Sequence, residues 1–592
     1  MRKKYLSLSV MIFLVFYSTN FSQEKFVINL NNISDDLFHV TLYPDSLSPE
    51  NNIYQFAATA PGTYEKMNIG RFVKSFKAYD SEGNEIHTNQ ISTNQWELSS
   101  PQKIKKIEYT IEDTWDAKID NDKIYLMSGS NLDSNNVLIN GQCVFGYFHG
   151  KQSDPIKIKL EYPKEWSIGT ALHLDSGGFY DAPTFDYVVD SPILLGKLTQ
   201  DSIEVGNAKI MVFTYSRTGL IKSSELLSSI KYILQAESKF TNGLPVDHYT
   251  FLFYMGEKDA GAWEHSYSSE YVMREEPLSK PVVDNLRLTI AHEFFHIVTP
   301  LNIHSELVAK FNFVKPVMSQ HLWLYEGVTE WAANILQLRD SLISLNHYLD
   351  ILHHKISYMQ GFDKNISLTE LGTHSVELPN QYINIYFKGA IIAGLLDIRL
   401  LELSNGTKGL REVINELSKK YGPNKSFSEN NFFDEFVKMT YPEIKDFIKN
   451  YIEGTQKLPL QEYYKELGID YYESKGFDSS RTSLGFGLGV QDNHFVVLSI
   501  SQSSPNKDKL QTGDIIDSVD GVELNFKNIK DKMQEYQHKN VGDTVKTVVT
   551  RNNDKIHLNL ILNPVERKYI FEIEPNPTSE QLRLREAWMK NM

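Results

Sequence analysis

The chain has 592 residues, 41% of them hydrophobic, and its 60 basic and 75 acidic side chains give a net charge of −15. At about 150 residues per domain, this length predicts roughly three or four domains, each with enough apolar residues for a core. The acidic balance excludes nucleic acid as an expected partner, because a phosphate backbone binds basic surfaces. Cys143 is the only cysteine, so no internal disulfide can form.

Residues 1–22 have the pattern of a signal peptide. Arg2, Lys3 and Lys4 form a basic segment, and an apolar stretch at 5–17 follows it. That stretch is too short to span a bilayer comfortably, and no later segment approaches the roughly 18 consecutive apolar residues of a membrane-spanning helix. We therefore expect an exported protein, periplasmic or secreted, without a stable membrane span after leader removal. The alternative is a short anchor that stays uncleaved.

The spacing of apolar residues changes once in the first 475 residues, near residue 199. Residues 23–198 alternate apolar and polar side chains in short runs, as at 156–160, which predicts an N-terminal β-sandwich-like domain. Residues 199–475 contain an apolar run at 249–254 followed by long segments with helical periodicity. Helices are expected at 223–238, 281–299, 319–337, 341–360, 386–402 and 432–453. The pattern predicts a multidomain α+β protein with a mostly helical middle domain.

Strands are expected again after residue 476, at 495–498, 514–519 and 545–549, with a helix at 526–536. The segment 510–516 and the Asp520-Gly521 turn resemble a PDZ domain, which we place at 480–564; the alternative is an unrelated small β domain. The glycine-rich run 485–489 would be its carboxylate-binding loop. Residues 565–592 are expected to be a C-terminal tail with a short helix, so truncation from about Thr482 should spare the middle domain.

The most specific pattern is an HExxH sequence, His292-Glu293-Phe294-Phe295-His296, inside a segment expected to be helical. Two histidines four residues apart share one helix face, so both imidazoles can bind a single cation. The Glu between them can reach a water on that cation. His292 and His296 are therefore predicted zinc ligands, and Glu293 is the predicted general base. The alternative is a pair of exposed helix histidines.

A catalytic zinc site needs a third protein ligand and an open position. Glu326 lies among apolar residues of the segment 319–337, where an unpaired carboxylate would be costly to bury, so we predict that it is the third ligand. Glu330, one turn further on, is predicted to orient a ligating histidine; an exposed helical carboxylate is an equally good interpretation. One Zn²⁺ per chain is expected.

With these residues the chain resembles the glycyl aminopeptidase family of gluzincin zinc metallopeptidases, which combine a β domain, a thermolysin-like domain and a PDZ domain. The similarity extends to the segments 60–64 and 140–147 near the N-terminus and to 581–588 near the C-terminus. The resemblance implies a thermolysin-like catalytic domain at 199–475 and metal-assisted hydrolysis of peptides.

The resemblance also implies roles for residues outside the zinc motif. Gly261, Ala262 and Glu264 lie in a sequence similar to the substrate-binding strand of aminopeptidases, whose carboxylate binds the free α-amino group. A loop Glu without a ligand is the alternative. Tyr386 begins a sequence similar to a helix start whose tyrosine donates to the oxyanion, although a core tyrosine is also possible. The residues after His296 depart from many relatives, which leaves subsite preference open.

These assignments imply a zinc aminopeptidase that releases single residues from peptides with a free N-terminus, with Gly or Ala suggested by the family alone. The first alternative is a zinc endopeptidase to which the PDZ domain delivers substrates. The second is a catalytically idle protein that binds a peptide C-terminus, or a segment of its own chain, at the PDZ domain. The presence of Glu293, which a purely structural zinc site does not need, counts against the second alternative.

Overall fold

The computed structural model describes residues 23–119, 121–491 and 494–592. The expected signal peptide lies outside these residues. Buried apolar side chains form a large core in each expected domain. A smaller cluster joins the N-terminal domain to the middle domain, with Leu138 and Leu194 on one side and Phe213 and Leu252 on the other. None of the helices in the described part of the chain combines the length and the apolar character needed to cross a bilayer.

The N-terminal domain consists of β-sheets, as its alternating sequence predicted. Every second side chain of the strand Ile156–Glu161 is buried, because one face of the sheet lies on the core. The largest sheet has the strand order His173–Leu174, Tyr180–Ala182, Ile156–Glu161, Glu24–Asn29, Leu37–Tyr43, Lys106–Glu112, Val73–Tyr79, Glu85–Ile86. Two further sheets have the orders Ser167–Thr170, Ile193–Gly196, Asn136–Ile139, Asn131–Leu132 and Gly146–Phe148, Ile53–Phe56, Gln95–Leu98, Thr88–Ser92.

The middle domain places helices on one mixed sheet. The strand order is Thr199–Val205, Ala208–Ser216, His248–Gly256, Ser268–Arg274, Gly261–Glu264, and the last strand is antiparallel to its neighbour. The α-helices of eight or more residues are Ser223–Phe240, Lys280–Phe295, Thr329–Arg339, Leu345–Met359, Asn384–Leu403, Leu410–Lys420 and Phe432–Met439. Shorter helices are Glu306–Ala309, Leu368–Thr373, Pro379–Tyr382, Ile444–Phe447 and Leu460–Glu466. The expected multidomain α+β architecture is confirmed.

The helix expected at 341–360 begins at Leu345, and three other predicted helices end early or divide. The helix expected at 281–299 ends at Phe295, because Pro300 lacks the N–H that would bond to the His296 carbonyl in a continued helix. The helix expected at 432–453 breaks after Met439, where Pro442 lacks the N–H that a continuous helix requires. The segment expected to be helical at 319–337 divides into a π-helix, Trp323–Val328, and the α-helix Thr329–Arg339. π-helical turns are frequent at functional sites.

The PDZ region is a β domain with one helix, Ile529–Gln537. Its sheet has the order Phe486–Gln491, His494–Ile500, Ile515–Val519, Thr544–Arg551, Asp554–Ile561, and Val522–Glu523 pairs with Ile515–Val519. Gly485, with a φ of 75°, precedes the first strand. Residues 486–489, expected to be part of a loop, belong to that strand instead, because they pair with 496–500.

The short helix expected in the C-terminal tail 565–592 is present as Ser579–Lys590, but these residues pack on the rest of the chain and do not form a separate tail. The strand Asn563–Ile573 pairs with Ile469–Ser483 in a long antiparallel ribbon, and the helix Ser579–Lys590 packs on the middle domain. Trp588 of this helix is 1% exposed. Arg339 donates from Nε to the Trp588 carbonyl at 2.9 Å and from Nη2 to Asp397 at 2.6 Å. The PDZ domain is therefore inserted into the middle domain.

We expect an internal deletion and a C-terminal truncation to have opposite outcomes. Joining Ser483 to Asn563 through an Asn-Gly turn removes the PDZ domain but keeps the ribbon, and these residues are already paired. Truncation at Thr482 removes Trp588 and a buried acceptor of Arg339, and loss of a core tryptophan side chain alone lowers the free energy of unfolding by roughly 3–5 kcal/mol. Thermal unfolding, with the full-length chain as reference, checks both. A truncated chain that unfolds as late as the full-length chain would contradict the expectation.

Candidate active site

The three predicted metal ligands come together in the structure. His292 and His296 lie at the C-terminal end of the helix Lys280–Phe295, and Glu326 lies in the π-helix. Nε2 of His292 is 3.2 Å, and Nε2 of His296 is 3.6 Å, from Oε2 of Glu326. All three side chains are buried. Two imidazole nitrogens and one carboxylate oxygen fit zinc, since they leave one position of a tetrahedral centre for water or substrate.

The Nδ1 atom of each imidazole ring, on the side away from Glu326, has a hydrogen-bond partner. Nδ1 of His292 is 2.9 Å from Oε2 of Glu330, and Nδ1 of His296 is 2.9 Å from the Thr299 carbonyl oxygen. These contacts leave both Nε2 atoms facing Glu326, as ligation by Nε2 requires. Glu330 also contacts Lys355; burial acts to raise the pKa of Glu330, but Lys355 and His292 together hold it below its usual range. Glu330 therefore lies where it was predicted to orient a ligand.

Glu293 faces the cleft beside the metal ligands. One of its carboxylate oxygens lies within 4.8 Å of a ring nitrogen of His296 and of an oxygen of Glu264. Burial raises the pKa of Glu293 to about 7, against the lowering effect of His292. A carboxylate with such a pKa can both accept and release a proton near neutral pH, which is what a general base must do.

Glu264 ends the strand at the edge of the catalytic sheet. Gly261 and Ala262 in the same strand pair on one side with Val272 and Tyr271. Burial, followed by the nearby carboxylates of Glu326 and Glu293, raises the pKa of Glu264 well above its usual range. Because an unpaired buried carboxylate is costly, a bound ammonium group would stabilise the charged form of Glu264.

Three tyrosines border the metal site, and only one was predicted. The ring of Tyr386 is 5.4 Å from that of His292, and its hydroxyl is 2.9 Å from the Tyr382 hydroxyl. Tyr64 of the N-terminal domain stacks obliquely on Tyr382 and donates a long hydrogen bond of 3.4 Å to Oε1 of Glu326. Tyr64 has a φ of 51°, a conformation uncommon for a residue with a large side chain. Tyr64 belongs to the segment 60–64 that resembles the family, but that resemblance assigned no role to this one of the chain's 32 tyrosines.

The N-terminal domain forms one wall of the cleft. Tyr125, Met127 and Gly62 of that domain line the same cavity, of about 410 Å³, as the metal ligands and Glu264. A Cβ atom on Gly62 would lie 2.7 Å from Oε1 of Glu264, so any larger residue at position 62 would collide with this carboxylate. The active-site cleft is therefore a product of both domains.

Comparison with known proteins covers most of the chain. Residues 25–197 match the Peptidase M61 N-terminal domain, residues 285–392 match the M61 glycyl aminopeptidase family, and residues 482–562 match a PDZ domain. A search of curated proteins gave no match.

Two solved structures are similar in fold to different degrees. An aminopeptidase N family protein from Idiomarina loihiensis is 20% identical, with a TM-score of 0.78 over 96% of this chain and 100% of that one. Native leukotriene A4 hydrolase from Saccharomyces cerevisiae is 14% identical, with a TM-score of 0.44 over 75% of this chain and 70% of that one. The first similarity supports the overall fold. The sequence matches, in the order N-terminal domain, catalytic domain and PDZ domain, show that the chain belongs to the M61 glycyl aminopeptidase family of peptidases.

Proposed function

We propose that the chain is a zinc aminopeptidase that removes the N-terminal residue of peptides with a free amino terminus. The position of Glu264 carries this proposal, because one of its oxygens lies within 4.8 Å of ligand atoms of both Glu293 and His296. Consecutive residues of a peptide are about 3.8 Å apart. A peptide whose ammonium group binds Glu264 therefore has its first carbonyl group beside the metal ligands.

Each side chain of the site has a distinct role in peptide hydrolysis. When bound by His292, His296 and Glu326, zinc supplies Lewis-acid chemistry that acidifies a water and polarises a carbonyl group. Glu293 takes the proton of the attacking water and can pass it to the leaving nitrogen. The Tyr386 hydroxyl donates a hydrogen bond to the oxygen on which negative charge develops.

The carboxylate of Glu264 supports cleavage next to a chain end over internal cleavage, because an internal residue has no ammonium group for it to bind. Gly62 and Trp263 border its carboxylate, and the strand that carries it stops there. The M61 glycyl aminopeptidase match supports the same choice.

The proposal extends to export and to the PDZ domain. The basic and apolar leader pattern at residues 1–22 supports export, and N-terminal sequencing of the mature protein tests it. The PDZ match at 482–562 supports recognition of a peptide terminus. Both features suit a peptidase that meets its substrates outside the cytoplasm.

Glu293→Gln should keep one zinc per chain and lower kcat by roughly 10²- to 10⁴-fold, since the amide cannot accept the proton of the water. His292→Ala should lose zinc as well as activity. Elemental analysis and turnover of aminoacyl amides measure both. Glu257→Gln is the matched control, because the Glu257 side chain is 71% exposed outside the cleft. Near-normal turnover by fully loaded Glu293→Gln would refute its role.

Glu264→Ala should slow the hydrolysis of peptides with a free amino terminus by roughly tenfold to a few hundredfold in kcat/KM, the effect of one charge-assisted hydrogen bond. N-acetylated peptides should be poor substrates of the unmodified enzyme and little changed by the substitution, since they have no ammonium group. Comparing the two substrate classes separates loss of amine binding from general damage. Internal cleavage of acetylated peptides, slowed equally by Glu264→Ala, would favour the endopeptidase.

Tyr64→Phe should fold and bind zinc but lower kcat by roughly five- to a hundredfold, because it removes a part-buried hydroxyl that contacts a predicted metal ligand. Tyr125→Phe is the control, since Tyr125 lines the same cleft with 55% of its surface exposed. Steady-state kinetics of both variants check this. Equal effects of the two substitutions would mean that Tyr64 has no specific role.

A further inference from the structure

A second cavity adjoins the metal site at the boundary between the two domains. Three residues, Gly62, Trp263 and Glu264, line both this cavity and the catalytic cleft. None of the three predicted metal ligands lines the second cavity. Ala60 and Pro61 contribute a wall from the N-terminal domain. The cavity therefore opens beside the carboxylate that is proposed to bind the substrate's ammonium group.

Most of the remaining wall is apolar. It is formed by residues from the segment after the HExxH helix and from the start of the π-helical segment: Pro300, Leu301, Leu307, Val308, Phe311 and Leu322. Burial of apolar groups against such walls is favourable in proportion to the area removed from water. The cavity is thus suited to a hydrocarbon side chain.

Among the polar groups of the wall, Asp190 already has partners, whereas the buried Nε2 of His265 has none within the described residues. Asp190 accepts a hydrogen bond from the backbone N–H of Ser266 at 3.1 Å and lies 3.5 Å from Nδ1 of the buried His265. Asp190 is therefore already paired with His265 and Ser266 at the boundary between the two domains. A basic side chain in the cavity would gain little from it, and would lose its hydration.

The size of the cavity limits the side chains that fit. Its volume is about 90 Å³. An apolar cavity of about 150 Å³ can hold benzene, whereas one water molecule occupies about 30 Å³. The space suits a group of three or four heavy atoms, such as the side chain of valine, leucine or methionine. A methyl group would leave most of it empty, and an indole group would not fit.

The geometry of an amino acid connects the two sites. The ammonium group and the side chain of a substrate's first residue are both attached to its Cα atom. When the ammonium group binds Glu264 and the carbonyl group faces the metal ligands, the third substituent is free to enter the space on the shared wall. The second cavity is the apolar space next to the shared residues Gly62, Trp263 and Glu264.

We infer that this cavity receives the side chain of the substrate's N-terminal residue and selects aliphatic residues, leucine, methionine and valine, over glycine and alanine. This inference rests on the proposed aminopeptidase function and names its substrate class. It departs from the small residues that the family description suggests.

The direct test is kcat/KM of the full-length, zinc-loaded enzyme on a series of aminoacyl 4-nitroanilides: Gly, Ala, Val, Leu, Met, Phe and Arg. Leucine and methionine should exceed glycine by roughly ten- to a hundredfold, the effect of burying a side chain of this size. Phenylalanine and arginine should fall below leucine. Glycine or alanine as the best substrate would overturn the inference.

Substitutions in the wall provide an independent test. Val308→Phe should fill the cavity and reduce the ratio of kcat/KM for leucine to that for glycine by at least tenfold. Val314→Phe is the matched control, because Val314 lies in the same segment, is 42% exposed and does not line the cavity. Leu307→Ala should enlarge the cavity and raise phenylalanine relative to leucine. Uniform loss on all substrates with Val308→Phe would contradict the inference.

Product inhibition gives a measurement that needs no variant. Free leucine should inhibit the unmodified enzyme at concentrations at least tenfold lower than glycine does, and equal inhibition would contradict the inference. The two proposals fail differently. If no free-amine substrate is cleaved, the aminopeptidase proposal itself is wrong. If such substrates are cleaved with glycine preferred, only the role of the cavity is wrong.

Discussion

The candidate metal site depends on the close approach of two helical segments at Gly327 and Gly389. A Cβ atom on either glycine would lie 2.7 Å from the Cα atom of the other, so any other residue would force the segments apart. Glu326 directly precedes Gly327, and Tyr386 lies three residues before Gly389. The same contact therefore sets the position of the third predicted metal ligand and that of the tyrosine predicted to stabilise the oxyanion. The two histidines only need to reach this assembly from a third helix.

The N-terminal β domain is part of the active site and not an accessory to it. Leu138 and Leu194 bury their side chains with those of the catalytic sheet, which fixes the two domains against each other. This apolar contact brings Gly62 and Tyr64 to the wall of the cleft. There Gly62 leaves room for the Glu264 carboxylate, and the Tyr64 hydroxyl contacts Glu326. A catalytic fragment without that domain would lack both the phenol and one side of the adjoining apolar cavity.

The sequence predicts the parts of the site that rest on local periodicity. His292, Glu293 and His296 follow from spacing on one helix, and Glu326 follows from a carboxylate among apolar residues. Tyr64 could not be found in this way, because it is 262 positions from the residue it contacts and owes its place to an unusual backbone conformation. The insertion of the PDZ domain was missed for a similar reason: the pairing of 563–573 with 469–483 joins strands far apart in the chain. Helix ends were wrong where a proline downstream stops the helix early.

The ribbon gives the PDZ domain an attachment unlike that of a domain on a single linker. Its chain leaves the catalytic domain and returns through neighbouring strands, whose spacing is about 5 Å. Any folded unit whose own ends lie that close together could occupy the same position without changing the topology of the peptidase. The joint also restricts rotation, because both strands must turn together. The PDZ domain can therefore take fewer orientations relative to the catalytic domain than one disordered tether would allow.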